Sequence, residues 1–198
     1  MGRKPLKKER VNDPLTKELW IKELSVLYLH YGTGKFTMNT IAKKLGVSKA
    51  TLYKYFSSKE EIIKEVVRFK SNEIAAYEVL LEDSNIDFSE RFFDIIKNAS
   101  ILLAEISNKF LQDTKEKHPD LFIKMSNFQD RALYAAQHFY ERGIKAGVIN
   151  NINPTVLALT DKMFIHAVSS PKFLQEHDIT IKEAFDSYFE MKSKGIFK

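Results

Sequence analysis

Lys49, Thr51, Lys54 and Tyr55 fall within a single short stretch of the chain. From Leu24 to Lys59 there are six lysines (Lys35, Lys43, Lys44, Lys49, Lys54 and Lys59) and no acid. Ammonium groups and phenolic hydroxyls can meet phosphate oxygens, and short polar side chains can reach base edges in a major groove about 12 Å wide. A surface that is merely solvated usually mixes charge signs, so an acid-free run of lysines points to a polyanion. Two clusters, Glu116-Lys117-His118-Pro119-Asp120 and Glu176-His177-Asp178, combine acids with histidine. Both fall at expected helix ends, where capping and solvation account for them. Neither has the metal-ligand spacing His-Glu-x-x-His, and neither has a second cluster as partner. The chain has no cysteine, no nucleophile elbow and no phosphate-cradling glycine loop. The expectation is a protein that is not an enzyme and uses no metal or cofactor.

The charge is unevenly placed. Residues 1–70 hold 16 Lys and Arg against 7 Asp and Glu, and the remainder holds 15 against 19, for a net +5 over 198 residues. A basic first third on an acidic remainder reads as a polyanion-binding module joined to something else. No apolar run approaches the ~18 residues of a membrane span, and the basic start leads into no apolar signal segment. A cytoplasmic protein without membrane contact is expected.

The elements that must position these residues are helical nearly throughout, with only 7 Gly and 5 Pro. Asp13-Pro14 opens a first helix whose Ile21, Leu24, Leu27, Tyr28 and Tyr31 share a face, and Gly32 closes it. Thr37 caps a second helix to Leu45, Gly46-Val47 makes a tight turn, and Ser48 caps a third to about Phe56. Two short helices meeting around a glycine have the dimensions of a helix-turn-helix. Ser58 with Glu61 reads as a capping box opening a fourth helix that fades by Glu82. Further helices are expected from Asp87 to about Ser107, around Phe110–Lys115, from His118-Pro119 to near Gly147, from Asn153-Pro154 to before Pro171, and from Thr180 to near Gly195. This gives an all-α chain of about nine helices. Its expected parts are a basic flexible arm (1–12), a helix-turn-helix unit (13–60) and a larger helical unit (61–198), with helix 58–82 connecting the last two.

The run "TMNTIAKKLGVSKATLYKYFSSKEEII", within Ile21 to Val67, resembles the DNA-binding domain of the tetracycline-repressor (TetR) family. Thr33 departs from that pattern, where an aromatic residue often follows the glycine, and Phe36 can fill the packing role instead. The resemblance implies a role for each matching residue. Thr37 would contact a phosphate, and Asn39 would make a base contact from the second helix. Ser48 caps the recognition helix, whose first residues Lys49, Ala50 and Thr51 would read bases. Tyr53, Lys54 and Tyr55 would grip the backbone, and Lys59 would add its charge at the start of the fourth helix. The basic arm could lie in an adjacent minor groove or simply solubilise the chain.

The same resemblance implies a ligand pocket between the long central helices and a homodimer through the last two. Residues 86–198 hold 12 of the 15 phenylalanines, enough to line an apolar cavity as well as a core. Candidate lining residues are Phe92, Ile96, Phe110, Met125, Phe128, Met163 and His166. The shortage of obvious inward charges favours an apolar or aromatic ligand. The expected function is a repressor that binds a palindromic double-stranded operator and is released by a small-molecule effector. Two alternatives remain open at this point. One is a DNA-binding regulator without an effector. The other is a helical ligand-binding or catalytic protein whose basic N-terminus meets RNA or lipid.

Overall fold

The computed structural model describes residues 13–76 and 85–198, and among them the named elements are ten helices. Side chains 128–130, 132 and 133 are not among those described. In chain order the helices are α1 (Pro14–Tyr31), α2 (Met38–Lys44), α3 (Lys49–Tyr55), α4 (Lys59–Ala76), α5 (Phe88–Ala104), α6 (Asn108–Lys117), α7 (Pro119–Lys145), α8 (Pro154–Val168), α9 (Pro171–Glu176) and α10 (Ile181–Ile196). The expected basic arm and the continuation of the fourth helix to Glu82 lie outside the described residues.

Capping chemistry sets most of the boundaries. Asp13 accepts from the backbone N–H groups of Leu15 and Thr16 at 3.3 and 3.0 Å. Ser48 accepts from Thr51 at 3.0 Å, and Thr180 and Glu183 cap each other's backbone reciprocally. Each such cap typically contributes ~1 kcal/mol. Thr37 forms a box with the Thr40 hydroxyl, a pairing that a search for Glu or Gln at that spacing passes over. Ser58 accepts from the Glu61 N–H at 3.1 Å, but the Glu61 carboxylate reaches back to the Ser57 N–H at 2.7 Å, one residue beyond the expected box. Two boundaries differ from expectation. Ser107 caps α6 instead of ending α5. Pro171 does not simply terminate α8: with Ser170 as cap it starts the short helix α9, since proline suits a first turn as well as a stop.

Three apolar clusters hold the helices together. The first joins Leu24 and Tyr28 of α1, Ile41 of α2, Leu52 of α3 and Ile62, Ile63 and Val66 of α4. It is completed by Phe110 of α6 and Leu121 of α7. The second packs Phe88 and Phe92 of α5 against Phe139 and Tyr140 of α7, Leu157 of α8 and Phe185 and Phe189 of α10. Phe88 and Phe139 stack with ring centroids 4.1 Å apart. The third and smallest gathers Leu111, Val168, Leu174 and Ile181 where α6, α8, α9 and α10 meet. No described helix is long and apolar enough to cross a membrane.

Candidate nucleic-acid interface and internal cavity

Helix α3 shows two different faces. Leu52 is fully buried against the first cluster, while Lys49, Ala50, Tyr53 and Lys54 are exposed. The Ser48 hydroxyl lies 2.8 Å from that of Thr51, so the cap also holds Thr51 at the helix start. The Lys49 ammonium stands 5.8 Å from the Tyr53 ring centroid. Thr37 and Asn39, at the start of α2, are exposed too. The remaining candidates are partly engaged within the chain. Tyr55 packs on Trp20 with centroids 4.6 Å apart. Lys59 donates to the Thr33 carbonyl at 3.1 Å. Phe36 packs edge-on to Tyr28 with ring centroids 5.4 Å apart.

The loop between α1 and α2 is held from below by α6. The Asp113 side chain is fully buried. One of its oxygens accepts from the Gly34 N–H at 3.0 Å, and the other meets Lys109 and Lys117 at 3.1 and 2.6 Å. Burial alone would raise the carboxyl's pKa, but the Lys117, Gly34 and Lys109 hydrogen bonds outweigh it and hold it at about 2 against an ordinary 3.8. A carboxylate whose pKa is depressed on folding contributes stability above its unfolded value and loses it as pH falls through the folded one. The stability difference between the native chain and Asp113→Asn should therefore shrink as the pH is lowered from 3.8 toward 2. Denaturant titrations across that window would read it; a constant difference would exclude this carboxylate as the titrating group. At its other end α6 is tied to α1, because Ser107 donates to the Leu29 carbonyl through both its backbone N–H and its hydroxyl, at 3.0 and 2.7 Å.

Behind α6 lies a cavity of about 370 Å³. Its wall runs from Val67 and Ile74 on α4, past Phe110 on α6, to Phe185 and Phe189 on α10. Among the expected residues, Phe92, Ile96, Phe110, Met125 and His166 line it. His166 is exposed as well. Met163 does not line the cavity and is 65% exposed. It sits two residues beyond the inward-facing Asp161, about 200° further round the helix. The Phe128 side chain lies outside the described residues.

Sequence reasoning missed the inward charges. Asp161 of α8 is buried and accepts from Tyr140 and Tyr188 hydroxyls at 2.6 and 2.8 Å and from the Lys192 ammonium. Lys192, also buried, donates to the Leu157 carbonyl at 2.8 Å. Lys70 of α4 is buried on the cavity wall and donates to Glu73 and Glu105 at 2.9 and 2.7 Å. Asp161 and Lys192 are both on helices with apolar neighbours, but their 31-residue separation hides the pair from any local pattern. Among the described residues no group of three His, Asp or Glu is arranged to hold a metal ion.

Residues 26–66 match the sequence model for bacterial regulatory proteins of the tetR family. The chain is also similar to an uncharacterized HTH-type transcriptional regulator, YvaF, of Bacillus subtilis (strain 168), being 25% identical over 162 residues that span 81% of this chain and 85% of that one. A transcriptional regulator from Cytophaga hutchinsonii shares the fold with a TM-score of 0.71 at 22% identity, over 92% of this chain and 99% of that one. A TetR-family regulator from Marinobacter aquaeolei does so with a TM-score of 0.66 at 23% identity, over 85% of each chain.

Proposed function

We propose that the chain, whose residues 26–66 match the sequence model for bacterial regulatory proteins of the tetR family, is a DNA-binding transcriptional regulator of that kind, a homodimeric repressor released from a palindromic operator by a small effector. The observation that carries this reading is the exposed row Lys49, Ala50, Tyr53 and Lys54 on a helix whose opposite side is anchored by Leu52. Residues 13–60 read DNA, residues 61–198 sense and dimerise, and α4 belongs to both. Lys49, Ala50 and Thr51 face base edges. Asn39 adds a base contact from α2. Thr37, Tyr53, Lys54, Tyr55 and Lys59 lie along the flanking backbone, and Ser48 fixes the recognition helix at its start.

Dimerisation is supported by an apolar stripe that the single chain leaves uncovered. Val156, Leu159 and Met163 are exposed along one side of α8, and Met191 is exposed on the adjacent α10. Two such helices from each of two chains would make a four-helix interface about a twofold axis. That symmetry would place two recognition helices on half-sites about one helical turn apart. An effector in the cavity would favour a dimer with the wrong spacing, and by linkage the operator would weaken effector binding by the same factor.

Selection of bound sequences from a random duplex pool at two salt concentrations tests the reading. A recovered palindrome is the expected result, and binding that is only nonspecific and vanishes at the higher salt would overturn it. With the palindrome in hand, Lys54→Ala should weaken all duplexes similarly and reduce the slope of log K against log [salt] by about 1. Thr51→Ala and Lys49→Ala should instead relax preference at individual base pairs by ~1–3 kcal/mol each. Unchanged preference in both would remove them from the reading face.

A further inference from the structure

Two buried charges are built into the cavity wall, and they are held in different ways. Asp161 is enclosed by Tyr140, Tyr188 and Lys192, all from the protein interior or its edge, so its oxygens are already engaged. It is the one carboxylate among the described lining residues, and a cationic ligand would find no free counter-charge there. Lys70 is different. Its ammonium is buried on the wall, yet both of its partners reach outward, with the Glu73 and Glu105 side chains 36% and 45% exposed. Two of its three N–H groups are taken by these glutamates. Either glutamate can be replaced by another carboxylate at the same ammonium and be rehydrated where it stands, so the exchange leaves no buried charge unpaired. Most of the remaining wall is apolar and aromatic, reaching to Phe185 and Phe189 at the far side.

We propose that the cavity takes an apolar monocarboxylic acid, with its carboxylate on the Lys70 ammonium and its hydrocarbon body among Phe92, Phe139, Phe185 and Phe189. The assignment rests on the reading of this cavity as the effector site. It also gives the ligand a handle on the DNA-reading half. The Lys70–Glu105 pair ties α4 to the C-terminal end of α5, and a carboxylate that takes the place of Glu105 unties the two.

Calorimetric titration of the full chain at neutral pH with decanoate and with decanol tests the headgroup, and displacement of the neutral fluorophore N-phenylnaphthylamine tests the cavity. Decanoate should bind about tenfold or more tighter than decanol, because only a carboxylate can take the place of Glu105 at the Lys70 ammonium, and a neutral hydroxyl would leave the existing pair intact and its own oxygen without that partner. Lys70→Met should bring the two affinities together while decanol still binds. Glu105→Gln, which leaves Lys70 in place and removes a competing carboxylate, should tighten decanoate severalfold and leave decanol unchanged. That second variant decides the matter even if Lys70→Met does not fold. If decanol binds the native chain as well as decanoate and both displace the fluorophore, the carboxylate assignment falls while the effector cavity stands. If neither binds and the fluorophore is not taken up, both readings fall.

Discussion

Asp161→Ala should lower the unfolding free energy by about 3–5 kcal/mol, because it leaves the buried Lys192 ammonium without its counter-charge. Burial already pulls the Lys192 pKa below the ordinary lysine range, with Asp161 working against that pull. The Tyr140 and Tyr188 hydroxyls lose their acceptor in the same substitution. In a chain of this size each kcal/mol moves the melting temperature by about 2–4 °C, so thermal melts should show a drop of roughly 6–20 °C. The orphaned ammonium can relieve itself only by losing its proton. The folded state of the variant then binds that proton less readily than the unfolded state, and the deficit should narrow as the pH rises. Replacing both partners by apolar residues of similar size, Asp161→Leu with Lys192→Met, should recover most of the loss. If single and double variants melted alike, the cost would belong to the tyrosine hydroxyls and not to the ion pair.

Gly32→Ala should be the more damaging substitution for DNA binding. Gly32 has φ +82° and ψ 170°, a conformation essentially confined to glycine and costing other residues about 1–3 kcal/mol. Its position is also crowded: an added Cβ would stand 2.4 Å from an Asp113 carboxylate oxygen and 2.8 Å from Lys109 Cγ. Relief requires Asp113 to withdraw, which releases Gly34 and the loop entering α2. Gly46 provides the control. Its φ is +68°, but an added Cβ meets nothing within 4 Å, so Gly46→Ala should cost only the local penalty of about 1–2 kcal/mol. Unfolding titrations should separate the two variants, and only Gly32→Ala should lose operator affinity at temperatures where it remains folded. Equal costs would mean that the contact with Asp113 is easily yielded.

What the sequence revealed follows from how far each signal reaches along the chain. Asp13-Pro14, Ser48 and Thr180 with Glu183 announce helix starts because the cap lies within three residues of the groups it satisfies. The helix-turn-helix is equally local, since Thr37, Gly46 and Ser48 fix α2, the turn and α3 in one short stretch. The cavity wall is not local. Asp161 and Lys192 look like any charged residues on amphipathic helices, and only the packing of α8 on α10 turns them inward toward each other. Lys70 lies among charged residues on α4, where a lysine normally faces water, and its place on the wall shows only once Glu105, just past the end of α5, is brought to its ammonium across 35 residues of sequence. Met163 shows the converse. An apolar residue on an apolar helix invites assignment to the interior, but α8 has apolar residues on two sides and the interior takes the side bearing Leu157 and Val168.

Phe110 and Leu121 complete the first apolar cluster although they come from the second half of the chain. A fragment ending near residue 76 would leave the inner faces of α1 and α4 open to water where Phe110 and Leu121 now cover them. The two halves should therefore melt in one cooperative step. A molecule that occupies the folded cavity and not the unfolded chain stabilises whatever melts with it, in proportion to the logarithm of its concentration over its dissociation constant. The recognition helix should consequently gain thermal resistance from a compound that it never touches, even while losing its hold on DNA.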